Sequence, residues 1–213
     1  KAVPEAWLKH KPFSDFFTYL QENAEEFQSK FAKWQGQKVL VLGEGYGLKS
    51  AVEALANSGL NELAVVVSDT SSVSSQELQS ALDYYVQRLP GFTYQLKIDA
   101  EFDAASATDF DFILQCASQL DADFVVNPET PGIVAGILYG QAVVSPLISV
   151  SNSGYPDLKE QLLRVAESSD IEFPKAGLSI LGSVAALNLI KGFFGIEVDG
   201  IRNYVYRVSR HLE

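Results

Sequence analysis

Residues 38–69, KVLVLGEGYGLKSAVEALANSGLNELAVVVSD, decide the fold of this chain. They begin with a short apolar run over residues 38–42 that ends in glycine, which is typical of a buried parallel strand. A helix is predicted over residues 48–57, because the Ser-Gly pair that follows is a common helix-ending signal. A second buried strand is predicted over residues 63–67. The strand–helix–strand order indicates a βαβ unit with two parallel strands.

The same alternation continues after this unit. It predicts a helix over 74–88, strands over 92–98 and 111–117, a strand–turn–strand over 132–149, helices over 157–168 and 176–194, and a strand over 201–208. We therefore predict a doubly wound, Rossmann-like α/β fold whose sheet is mostly parallel, with an antiparallel C-terminal part.

An N-terminal arm is predicted before this fold. Apolar residues three or four positions apart predict one helix over residues 13–34, which we expect to pack on the main fold. The predicted organisation is a helical arm over residues 1–36 and a Rossmann-like domain over residues 37–211. The chain has no methionine, even at position 1, so we expect it to be part of a longer gene product.

Composition excludes several classes of function. The formal net charge is −11 and the 16 basic residues are scattered, so neither nucleic acid nor an acidic membrane surface is an expected partner. The single cysteine, Cys116, lies in an apolar run and is predicted to be a buried strand thiol. Because a signal peptide is not evident, we expect a cytoplasmic protein. The nearly uncharged helix over 176–194 resembles a membrane span in length, but we predict a core or interface helix, apolar and buried on all sides.

The glycine turn between the first strand and the first helix is where chemistry is expected. Gly43 and Gly45 match the first two positions of the G-x-G-x-x-G pattern, which lets a phosphate approach a helix N-terminus. The third glycine is replaced by leucine, with Gly47 one residue early, and Glu44 opposes a phosphate charge. The acidic residue expected on the ribose is displaced to Asp69, which equally fits a helix-capping loop. We interpret Gly43, Gly45, Gly47 and Asp69 as a vestigial nucleotide site.

The chain resembles the ThiF/MoeB, ubiquitin-activating-enzyme-like family over residues 37–208. The resemblance lies in GEGYGLKSAVEALANSGLNELAVVVSD, in FDFILQCASQ, in the strand pair around Gly140-Gln141, and in AGLSILGSVAALNLIKGFFGIEV. The helical lead-in before QGQKVLVLGEG resembles the arrangement in degenerate members that belong to thiazole/oxazole peptide (bacteriocin) maturation systems. Family members often dimerise through this domain, so a homodimer is a further expectation.

The resemblance implies that active members adenylate a carboxylate with ATP and magnesium. The family's residues do not carry over well, because the ribose aspartate falls on Val67, the arginine near Leu78 and the metal aspartate on Ser118. The family's lysine has only Arg88 and Lys97 as nearby candidates. Since adenylyl transfer depends on cationic positioning, we predict a scaffold that needs no cofactor and presents a precursor peptide to a separate modifying enzyme.

The sequence also leaves two enzymatic functions open. The first is an ATP-dependent adenylyltransferase that acts on a peptide or small-protein carboxylate through substituted residues: Lys49, Arg88, Asp121 and Asp123. The second is a nicotinamide- or flavin-dependent oxidoreductase, which the valine at position 67 disfavours. The loop over residues 127–132 is a candidate partner contact, whereas His10, His211 and the Asp109/Asp111 pair are not expected to form a site.

Overall fold

The structure is a computed structural model that describes residues 3–69, 73–98, 106, 109–117, 134–139, 142–147, 175–196 and 205–207. Its helices are α1 (Glu5–Lys9), α2 (Lys11–Asn23), α3 (Phe27–Trp34), α4 (Gly45–Ala56), α5 (Ser75–Arg88) and α6 (Lys175–Phe194). Its strands are β1 (Val39–Glu44), β2 (Glu62–Asp69), β3 (Thr93–Ile98), β4 (Phe112–Ala117), β5 (Val134–Tyr139), β6 (Ala142–Leu147) and β7 (Val205–Arg207). The helix predicted over 157–168 lies outside the described residues.

The seven strands form one sheet in the order β3-β2-β1-β4-β5-β6-β7. The pairs that join β3, β2, β1, β4 and β5 are parallel, whereas β5–β6 and β6–β7 are antiparallel. This topology confirms the predicted Rossmann-like fold, including the strand pair around Gly140-Gln141 and the antiparallel C-terminal part. The glycine turn lies beside β4, where the strand order reverses direction, and ligands of such sheets bind at that point.

Both faces of the central strands are buried, as in a doubly wound sheet. Val39 and Val41 of β1 lie in one hydrophobic cluster with the helices. Leu40, which points to the opposite face, is 0% exposed, and so is Ile113 of β4. Runs of apolar residues without polar alternation are therefore required in β1 and β4, because neither face meets solvent.

The prediction of one helix over residues 13–34 is wrong. The segment forms α2 and α3, and the break between them contains Glu26 with a left-handed φ of 51°. The short helix α1 precedes them and was not predicted. The apolar spacing continues across the break because both helices pack on the same core: the ring centroids of Phe13 and Phe31 are 6.4 Å apart. The spacing of apolar residues indicates which side chains are buried, but it does not indicate where the backbone turns.

The N-terminal helices are joined to the rest of the molecule by specific hydrogen bonds as well as by packing. The Trp34 indole donates to the Ser58 backbone carbonyl at 3.1 Å and to its hydroxyl at 3.0 Å. The Trp7 indole donates to the Pro90 carbonyl at 2.9 Å. Both tryptophans are buried, so each indole N–H needs a hydrogen-bond acceptor from the protein, and these carbonyl and hydroxyl oxygens provide it. The arm and the sheet share a single hydrophobic cluster.

Helix α6 is a core helix with one open face. It is long and apolar enough to cross a membrane by length and composition alone, but Leu181, Ala185 and Leu189 are fully or almost fully buried against α4 and the sheet. The core-helix prediction is therefore confirmed. The expectation that α6 is buried on all sides is wrong, because Ile180 is 62% exposed.

The glycine turn as the candidate functional site

The glycine turn lies at the carboxyl edge of the sheet, between β1 and α4. Helix α4 begins at Gly45, three residues before the predicted start, so Gly45 and Gly47 belong to its first turn and Gly43 belongs to β1. The early start follows from Gly45, which reaches a φ of 76° and lets the chain turn directly from strand to helix. The predicted order of strand and helix is confirmed, but β1 continues past the predicted end at Leu42 to Glu44, so the strand leads directly into α4.

Gly43 is required by the sheet itself. Its φ is 126°, and a Cβ at this position would lie 1.6 Å from the carbonyl oxygen of Cys116 in β4. Gly43 pairs with Cys116 on one side and with Val67 of β2 on the other. The first glycine of the motif is therefore explained by the close approach of a neighbouring strand, without any ligand.

The backbone of Gly47 lies against Gly182 of helix α6. A Cβ on Gly182 of α6 would lie 2.0 Å from the Gly47 carbonyl oxygen, so the two helices touch backbone to backbone at this pair. Gly45 and Gly47 are both buried. The turn therefore presents little open glycine backbone to a phosphate group, and close backbone approach is what its glycines would have to supply.

Tyr46, between these two glycines, contacts the start of α6. The Lys175 ammonium donates to the Tyr46 hydroxyl at 3.2 Å and lies 5.0 Å from the centre of the Tyr46 ring. Lys175 was not identified from the sequence, because it lies 129 residues away along the chain. The pair places one exposed cation beside the turn.

Strands β1 and β2 both end in an acidic residue, and the two residues are in register. A register shift after Gly43 brings Glu44 opposite Asp69, the last residue of β2. The Ser68 hydroxyl donates to the Gly43 carbonyl at 3.1 Å next to this shift. Asp69 is therefore in a strand, and the helix-capping alternative for it is wrong: Ser74 caps α5 by accepting a hydrogen bond from the Glu77 backbone N–H at 3.1 Å. Glu44 at the end of β1 disfavours a phosphate here, whereas Asp69 lies at the end of β2, where a nucleotide site would place an acidic residue for the ribose.

Two of the positions that the resemblance assigns to nucleotide-binding side chains are buried and apolar. Val67 is 3% exposed and Leu78 is 1% exposed, and both belong to the main hydrophobic cluster. Replacing either with a charged side chain would bury that charge without a partner, at a cost of several kcal/mol.

Two of the basic residues considered for the site, Lys49 and Arg88, contact other side chains of the protein. The Lys49 ammonium lies 3.0 Å from a Glu53 carboxylate oxygen and 3.7 Å from one of Glu77. Burial lowers the pKa of Lys49, but hydrogen bonding and attraction to these carboxylates outweigh it and raise the pKa overall. Arg88 ends α5 at the amino edge of the sheet, opposite the turn, and lies over the Tyr84 ring. Lys97 is exposed near the end of β3.

Cys116 is a buried thiol, as predicted. Burial raises its pKa from 9.0 to about 12, so the thiolate needed for nucleophilic attack is scarce at neutral pH. Among the described residues, no group of three or more His, Cys, Asp or Glu side chains is arranged to hold a metal ion.

The remaining candidates are structural or lie outside the described residues. His10 is buried with Nε2 2.9 Å from Asn57 Oδ1, which gives it a packing role. Asp111 accepts a hydrogen bond from the Lys38 backbone N–H at 2.9 Å and so ties the start of β4 to the start of β1. The residues outside the described part of the chain are Ser118, Asp121, Asp123, His211 and the loop over 127–132.

No protein-family model and no curated protein sequence matches this chain. Solved structures do match it. E. coli MccB with AMPCPP and MccA has a TM-score of 0.60 at 14% identity, over 99% of this chain and 75% of MccB. The microcin C7 biosynthetic enzyme MccB with N-formylated MccA gives a TM-score of 0.59 at 12% identity, over 99% of this chain and 76% of MccB. PaaA gives 0.58 at 13% identity, over 93% of this chain and 82% of PaaA. These similarities show that the chain shares the fold of MccB and PaaA.

Proposed function

We propose that this chain is a non-catalytic, activating-enzyme-like scaffold domain that acts in the maturation of a ribosomally made thiazole/oxazole peptide. The observation that carries the proposal is the apolar burial of Val67 and Leu78, where an active member needs an aspartate and an arginine. Adenylyl transfer is catalysed mainly by charges that position the phosphates. A site that has lost them retains the fold and a surface for partners.

The structural similarity to MccB supports the biological setting of this proposal. MccB is a biosynthetic enzyme of microcin C7 and has been solved with MccA, ATP and AMPCPP. We propose that this chain likewise works on a precursor peptide in the cytoplasm, with a separate modifying enzyme that supplies the chemistry. The domain would then hold the peptide for that enzyme and would need neither ATP nor magnesium itself.

The specific observation that favours an enzyme instead is that MccB with ATP has this fold over 99% of the chain. An ATP-dependent adenylyltransferase is therefore the second candidate. Arg88 is removed from its predicted machinery, because it lies at the opposite edge of the sheet from the turn. In this candidate function, Lys175 replaces Arg88 as the positively charged residue beside the turn, because it contacts Tyr46.

Calorimetric titration with ATP and magnesium separates the two candidates, with E. coli MccB as the positive control. The scaffold proposal predicts no binding heat at millimolar ATP, and no pyrophosphate exchange with a peptide carboxylate. Micromolar binding that Lys175→Ala and Gly45→Asp both abolish would overturn the scaffold proposal. Thermal unfolding of both variants, compared with the wild type, separates loss of the site from loss of the fold.

A reconstituted maturation reaction tests the scaffold role directly. The precursor peptide and the modifying enzyme are incubated with and without this chain, and each ring closure is counted by mass spectrometry as the loss of one water. We expect modification to be faster with the chain present, and equally fast with a Lys175→Ala, Lys97→Ala double variant. Equal rates with and without the chain would contradict the proposal.

A further inference from the structure

We draw no further inference here: the strongest candidate, the open face of helix α6 around Ile180, Ser183 and Leu187, is an unpartnered, partly apolar surface, and nothing in the structure shows what covers it.

Discussion

Gly43 and Gly91 share a positive φ but differ in what surrounds them. Gly43 has φ 126° and its missing Cβ would meet the Cys116 carbonyl, whereas Gly91 has φ 94° and nothing within 4 Å. Substitutions at these two glycines therefore distinguish the energetic cost of an unfavourable backbone conformation from the cost of a steric clash with neighbouring atoms. At Gly43 the collision is with the backbone of a central strand, which cannot move aside as a flexible side chain can.

We predict that Gly43→Ala lowers the free energy of unfolding by more than about 3 kcal/mol, because it combines conformational strain with overpacking. Gly91→Ala is the matched control and is expected to cost about 1–2 kcal/mol, from strain alone. Urea denaturation of both variants and the wild type measures the difference. Equal losses in the two variants would show that the contact with β4 is not what requires Gly43.

Because the Cys116 thiol is buried, we predict that the stability of the folded protein falls at alkaline pH. Its pKa is raised from 9.0 to about 12 by burial, so the folded state keeps a proton that the unfolded state releases. The stabilisation is therefore complete below pH 9 and is lost as the pH rises from 9 towards 12. We expect the wild type to lose about 1 kcal/mol more than Cys116→Ala between pH 8 and pH 10.

Urea denaturation at the two pH values measures this difference, and the alanine variant cancels the other titrating groups. A thiol reagent gives an independent check at neutral pH, where Cys116 should react only after unfolding. Rapid labelling of the native protein, or identical pH dependence in both chains, would be inconsistent with a buried thiol.

At the scale of elements, the packing of α6 on α4 depends on backbone contact. The Gly182–Gly47 approach lets α6 lie close against the first turn of α4. Ala185, three residues further along α6, is also buried. Helix propensity by itself disfavours glycine at this position by about 1 kcal/mol relative to alanine. The close approach of the two helices explains why glycine is used there.

We therefore predict that Gly182→Ala destabilises the protein by about 1–3 kcal/mol, although alanine is the better helix former. Ser183→Ala is the control, because position 183 is the adjacent residue and is exposed, and it should change stability by less than about 0.5 kcal/mol. The comparison is made by thermal and urea unfolding. A stabilised Gly182→Ala variant would mean that α6 does not approach α4 as closely as described.

At the scale of the whole molecule, the N-terminal helices and the sheet share one core. The two tryptophans of the chain, Trp7 and Trp34, both lie in the arm and are buried. Gly59, which follows α4, has no room for a Cβ because the Phe31 ring would lie 2.6 Å from it. The boundary predicted at residue 36 therefore passes through a continuous hydrophobic cluster.

We expect the arm and the sheet to unfold together. Tryptophan fluorescence reports the docking of the arm on the rest of the molecule, because both indoles donate hydrogen bonds to residues outside the arm. Far-ultraviolet circular dichroism reports all helices and strands, so the two urea transitions should have the same midpoint. Trp34→Ala should shift both midpoints equally, with a loss of about 3–5 kcal/mol. A fluorescence transition that precedes the dichroism transition would identify the arm as an independently unfolding unit.

Local sequence patterns predicted several elements correctly. The apolar runs predicted β1, β2 and β4, the helix-ending Ser-Gly pair predicted the end of α4, and the Gly140-Gln141 pair predicted the division between β5 and β6. These succeed because strand and helix periods are properties of neighbouring residues. The burial of Cys116 was predictable for the same reason, since it lies in a strand with no polar alternation.

The contacts of the glycine turn depend on tertiary packing and could not be predicted from the sequence. Gly43 and Gly47 look like ligand-binding glycines in the sequence, but their close contacts are with Cys116 and Gly182, which are distant along the chain. The contact between Tyr46 and Lys175, and the pairing of Glu44 with Asp69 after a register shift, also have no local signal. Long-range contacts of this kind depend on how whole elements pack, and spacing along the sequence does not encode that packing.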